Sequence, residues 1–99
     1  MSMRPSRNQS LIEALGLEVK VRRLDLGLSQ EDLAGRCELD RPYITLIESA
    51  RKQPTISVLH RLAGALELSL GEFCQRVDDR YQTALKAVGS TGHPGERHG

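Results

Sequence analysis

Between residues 41 and 52 the chain gathers Arg41, Thr45, Glu48, Arg51 and Lys52. These groups donate hydrogen bonds, accept them and offer positive charge, but none is set up to make or break a covalent bond. Serine and cysteine occur elsewhere, yet no histidine–carboxylate constellation falls on a fixed helical face near either. An enzyme is therefore not expected. The cysteines, Cys37 and Cys74, and the histidines, His60, His93 and His98, show no metal-ligand spacing. No metal, no cofactor and no small-molecule ligand is expected. Both cysteines fall on inward or semi-inward positions and read as buried thiols in a reducing compartment. The chemistry on offer is recognition of a partner surface.

Those side chains need rigid carriers, and the stretch SQEDLAGRCELDRPYITLIE at 29–48 supplies them. Ser29 is a good N-cap, and Asp32 three residues on completes a capping-box-like pair. Leu33, Ala34 and Cys37 then share one apolar face. Glu38 and Leu39 carry a turn. Asp40 is placed to cap a second helix, with Pro42 early enough for its missing N–H to be tolerated. Ile44 and Ile47 point inward, which leaves Arg41, Thr45 and Glu48 off that face. The spacing predicts a helix-turn-helix offering its second helix to a surface, or else an ordinary pair of packed helices.

The flanking segments supply the rest of the core. Residues 1–10 are polar and basic, with Arg4 and Arg7, and read as a flexible arm or as an arm that touches nucleic acid. A first helix spans 11–26, with Leu11, Ile12, Leu15, Val19 and Leu26 on its apolar side, and Gly27 stops it. Arg23 lies near the inner edge and needs a carboxylate, for which Glu48 is the best candidate. Arg51 and Lys52 follow the second helix of the pair, either solvated or where a phosphate backbone would pass. Thr55 caps a fourth helix whose inward face is Ile56, Leu59, Leu62, Ala63 and Leu66, with His60 and Arg61 outside. Ser69, with Glu72, caps a fifth helix. Its stripe of Leu70, Phe73, Cys74 or Val77 runs on through Tyr81, Leu85 and Val88, longer than a lone small domain needs. Asp78, Asp79 and Arg80 take its polar side. The helix either folds back on its own core or, as preferred, meets a second copy through Leu70, Phe73, Val77 and Tyr81.

Ninety-nine residues suit one domain with one modest core. One Phe, two Tyr and no Trp leave that core to aliphatic side chains, which favours small packed helices. A formal net charge of +1 neither demands nor excludes nucleic acid, because the placement of charge matters more than its sum. No apolar run is long enough to span a membrane and no signal-peptide pattern is present, so the cytoplasm is expected. The expected organisation is a basic arm at 1–10, a helical domain at 11–75, a helical extension at 76–88 and a disordered tail at 89–99.

The order of these features resembles the lambda-repressor, Cro and xenobiotic-response-element-like regulators of bacteria. The resemblance rests on Leu15-Gly16, Arg23, the run from Gly27 to Ala34, and Leu39-Asp40-Arg41-Pro42-Tyr43-Ile44. It continues through Ile47-Glu48, Pro54-Thr55, Leu59, Leu62-Ala63, Ala65-Leu66 and Leu70 with Phe73. The Leu-Asp-Arg-x-Tyr-Ile run is also similar to the controller proteins of restriction–modification operons. The resemblance implies an all-α, five-helix fold and a homodimer that binds palindromic double-stranded DNA and regulates transcription. It places Arg41, Pro42, Thr45 and Leu46 at base edges, and Gln30, Tyr43, Arg51 and Lys52 at phosphates. It makes Arg23 and Glu48 a structural ion pair. Leu46 stands where a Gln-like reader is usual, Glu38 where the turn usually has glycine, and Ala50 in place of another common glycine. The alternative is a protein-interaction module, such as an antitoxin or adaptor, that keeps the fold without reading bases.

Overall fold

The computed structural model describes residues 7–92. Five helices follow one another: α1 (Gln9–Asp25), α2 (Gln30–Cys37), α3 (Arg41–Glu48), α4 (Ile56–Ala65) and α5 (Leu70–Gly92). The described residues contain no strand, so the fold is all-α, as the aliphatic composition favours and the resemblance implies. Val19, Leu33, Ile44, Ile47, Leu62, Leu66 and Phe73 are wholly buried and draw every helix into one core. That shared burial holds α2 and α3, since helices of eight residues each are marginal alone.

Helix α1 starts two residues earlier than the sequence suggests. The Asn8 side chain accepts the Leu11 N–H at 3.1 Å and so caps it, drawing Gln9 and Ser10 out of the expected arm and into the helix. Arg7 is exposed, and Arg4 lies outside the described residues. At mid-helix Gly16 meets the end of α3. A Cβ there would lie 2.6 Å from the Ile47 carbonyl oxygen and 2.8 Å from that of Glu48, so this crossing admits only glycine.

The helices α1 to α4 end alike. Beyond each last turn one residue turns left-handed: Gly27, Glu38, Ala50 and Glu67, with φ of 73°, 58°, 62° and 64°. In each case the next N–H reaches back to the carbonyl five residues earlier: Leu28 to Arg23, Leu39 to Ala34, Arg51 to Leu46 and Leu68 to Ala63. This is the Schellman closure, which favours glycine. Three of the four positions do without one.

Several expectations need correction. Asp40 stands at the N-cap of α3 but its side chain makes no capping bond. Pro42 has no N–H to give, and the Tyr43 N–H is held by the Asp40 backbone carbonyl at 3.0 Å. Ile56 is 63% exposed, because α4 sinks into the core progressively, with Val58 and Leu59 partly buried against it and Leu62, Ala63 and Ala65 buried. Leu11 also sits at the rim rather than inside. Cys37 is buried, and burial pushes its thiol pKa up, but Cys74 is exposed. It lies a quarter-turn off the line of Phe73 and Val77 that α5 presses inward. Those two residues fill the chain's own core, so Phe73 has no surface to give a second copy. Tyr81 is half-buried against that core, whereas Leu85 and Val88 are exposed. Helix α5 continues to Gly92, past the expected end at 88, and the rest of the expected tail lies outside the described residues.

A buried acid holds α5 against α1. Glu18 is 1% exposed and accepts from Arg76 Nε and Arg80 Nε, each at 2.6 Å. Arg80 is therefore turned toward α1 and not to the polar side expected for it. The sequence held a signal for this: Glu18 sits three residues after Leu15 on the inward side of α1, opposite two arginines four apart.

Candidate nucleic-acid interface

Helix α3 is anchored from below and bare above. Ile44 and Ile47 are wholly buried, while Arg41, Pro42, Thr45 and Leu46 are exposed. At 3.6 residues per turn these four share one side. The rod cannot roll, because Glu48 at its end is locked to α1. Arg23 donates to Glu48 through Nε at 2.6 Å and Nη2 at 3.0 Å, and its Nη1 donates to the Leu28 carbonyl at 2.8 Å. Both side chains are more than nine-tenths buried, so the pair is bidentate, desolvated and fully engaged.

Gln30, at the start of α2, joins this lock to the exposed face. Its Nε2 donates to Glu48 Oε1 at 3.0 Å, and its Oε1 accepts from Thr45 Oγ1 at 2.9 Å. The resemblance implies a phosphate contact for Gln30 and gives no sign of this bridge. The link depends on two helices meeting, which no local pattern encodes.

Beyond α3, the left-handed Ala50 reverses the chain and Gln9 Nε2 holds its carbonyl at 3.1 Å. Arg51 and Lys52 then stand exposed beside α3. Lys52 Nζ lies 5.5 Å from the centre of the half-buried Tyr43 ring, a cation–π distance that steadies both. The structure thus gathers Gln30, Arg41, Pro42, Tyr43, Thr45, Leu46, Arg51 and Lys52 around the free side of one helix. The described residues hold no cluster of His, Cys, Asp and Glu suited to a metal ion, and no helix among them is long and apolar enough to cross a membrane.

Residues 19–73, which span α1 from Val19 to the first turn of α5, match the helix-turn-helix family profile. The chain belongs to the helix-turn-helix family of transcriptional regulators. A hypothetical transcription factor of Neisseria meningitidis is 27% identical over 88 residues, covering 89% of this chain and 83% of that one. An uncharacterized helix-turn-helix regulator of Methanothermobacter thermautotrophicus is 40% identical over 48 residues, covering 48% and 70%. Among solved structures, the restriction–modification controller protein C.Esp1396I, bound as a tetramer to its natural 35-base-pair operator, is 33% identical with a TM-score of 0.68, covering 73% of this chain and 95% of that one. The controller protein C.AhdI of Aeromonas hydrophila is 31% identical with a TM-score of 0.61, covering 63% and 94%. These matches bear out the resemblance to lambda-repressor-like regulators and the similarity to controller proteins.

Proposed function

We propose that the chain is a sequence-specific transcription regulator that lays α3 into the major groove of double-stranded DNA, as a two-fold dimer on a palindromic site. The observation that carries this reading is the exposed row of Arg41, Pro42, Thr45 and Leu46 on a helix fixed by a buried ion pair. A base reader must hold its side chains in register with base edges, and the lock through Arg23 and Glu48 supplies that rigidity. Arg41 reads a guanine through O6 and N7, and Leu46 packs on a thymine methyl. Arg51, Lys52 and Tyr43 meet the backbone, joined by the second Nε2 hydrogen of Gln30 at the head of α2. Arg7, which is exposed, adds a contact to the backbone from the start of the chain, and the same role is proposed for Arg4, outside the described residues.

The dimer joins through α5. Leu70, Cys74, Tyr81, Leu85 and Val88 recur at helical spacing, and each is exposed or half-exposed. This revises the expected contact set by replacing Phe73 and Val77 with residues that have surface to share. The operator complex of C.Esp1396I supports an oligomer on DNA.

Selection of binding sites from random duplexes by the purified chain tests the proposal. An enriched two-fold sequence is expected, with half-sites about one helical turn apart. Lys52→Ala is expected to weaken binding to all sequences alike and to lower the salt slope by about one. A pool with no enriched sequence, bound only by salt-sensitive coating, points instead to a protein-interaction module on the same fold.

A further inference from the structure

We propose that Thr45 reads the exocyclic amino group of an adenine or a cytosine, because hydrogen bonds running out from the buried Arg23–Glu48 pair fix its hydroxyl as an acceptor toward the groove. The inference rests on the major-groove docking of α3 proposed above and deepens it. The argument follows donors and acceptors from the core outward. Arg23 has only donors, and both carboxylate oxygens of Glu48 accept from it, so Glu48 offers Gln30 acceptors and no donor. Gln30 therefore turns its amide nitrogen to Glu48, at 3.0 Å. Its carbonyl oxygen is then the atom left facing α3, and an amide oxygen can only accept.

Thr45 lies 2.9 Å from that oxygen and must supply the proton. Its remaining acceptor within the helix, the Arg41 carbonyl at 3.3 Å, is longer and draws the same proton inward. A hydroxyl has one proton and two lone pairs. With the proton directed into the protein, what Thr45 shows the groove is a lone pair.

A lone pair distinguishes the bases. In the major groove adenine N6 and cytosine N4 donate, whereas guanine N7 and O6 and thymine O4 accept. A free threonine hydroxyl rotates to suit either kind. This one is committed, and it meets guanine or thymine with acceptor against acceptor. Gln30 acts through Thr45 and is here a positioning residue.

The experiment uses the full chain and the sites it selects from random duplexes. At the single base that Thr45 faces, counted on its own strand and not as a pair, an adenine or cytosine is expected. Replacing it with purine or 2-pyrimidinone, which lack the amino group, is expected to weaken wild-type binding about 2- to 10-fold. Thr45→Val keeps the shape, alters only an exposed side chain and is expected to bind both duplexes equally. Gln30→Ala is expected to reduce the discrimination at that base pair while every other position keeps its preference, a pattern that simple loss of a phosphate contact does not produce. Thermal unfolding of each variant confirms that it is folded. Guanine or thymine facing Thr45 overturns the proposal, as does a Thr45→Val protein whose selected site is unchanged. Undiminished discrimination in Gln30→Ala overturns the part assigned to Gln30. Failure of the wild type to select any sequence is a different result, and it removes the DNA-reading function itself.

Discussion

Among the described residues, the buried charges come as two arrangements with different tolerances. In the first, Arg23 is the partner of Glu48 and both side chains are desolvated. Removing Arg23 strands a carboxylate inside the fold, so Arg23→Ala is expected to cost about 3–5 kcal/mol in denaturant unfolding. In the second, Glu18 is held by two arginines that are themselves 40% and 30% exposed. Arg76→Ala alone is expected to cost no more than about 1 kcal/mol, because Arg80 stays in place and the lost contact is solvent-screened. Arg76→Ala with Arg80→Ala should cost about 2–3 kcal/mol, more than the two singles together, since only the double variant leaves Glu18 unpaired. A sum that simply adds would show that Glu18 reaches water when one partner is gone. Arg23 with Glu48 was legible in the sequence because a near-inward arginine demands an acid. The Glu18 cluster is fainter in the sequence, since its members are spread over two helices far apart along the chain and the inward phase of Glu18 is its one local hint.

At the level of elements, the repeated helix endings make a test of backbone strain. Glu38 closes α2 with φ of 58° and is exposed. A glycine there relieves the left-handed strain, and Glu38→Gly is expected to stabilise the fold by about 0.5–1 kcal/mol after its added unfolded-state entropy. An unchanged or lower melting temperature would show that another contact holds that turn. The helix starts respond to acid. Asp32 accepts the Ser29 N–H at 2.9 Å, and Glu72 accepts the Ser69 N–H at 2.8 Å. These backbone bonds, then the serine hydroxyls, hold both carboxyl pKa values below the ordinary range. Folded values lowered in this way add stability that is whole above the unfolded pKa and fades as pH falls through the folded one. Stability should therefore decline below about pH 4.5, and Asp32→Asn with Glu72→Gln should flatten that decline. An equally steep decline in the double variant would assign it to other groups. Helix positions came through well from sequence because caps and apolar spacing are local. The exposure of Ile56 and Cys74 did not, because periodicity gives a phase but not the extent of the core that meets it.

On the scale of the whole molecule, α5 does two jobs. Up to Tyr81 it completes the core, and beyond it Leu85 and Val88 extend an apolar line that the described residues leave exposed. If that line joins two copies, Leu85→Glu with Val88→Glu should give a folded monomer by sedimentation, with much weaker binding to a two-fold site. A double variant that still sediments as a dimer would place the interface elsewhere. The proposed function turns on α3, whose buried side is locked to α1 and whose free side is proposed to meet bases. Fluorescence anisotropy with Arg41→Ala tests it most directly, titrating the selected operator and a random duplex at one fixed salt concentration. The account predicts a loss of operator preference worth about 1–3 kcal/mol, with random-duplex binding reduced only as one lost charge requires. An operator-to-random ratio equal to that of the wild type would contradict it.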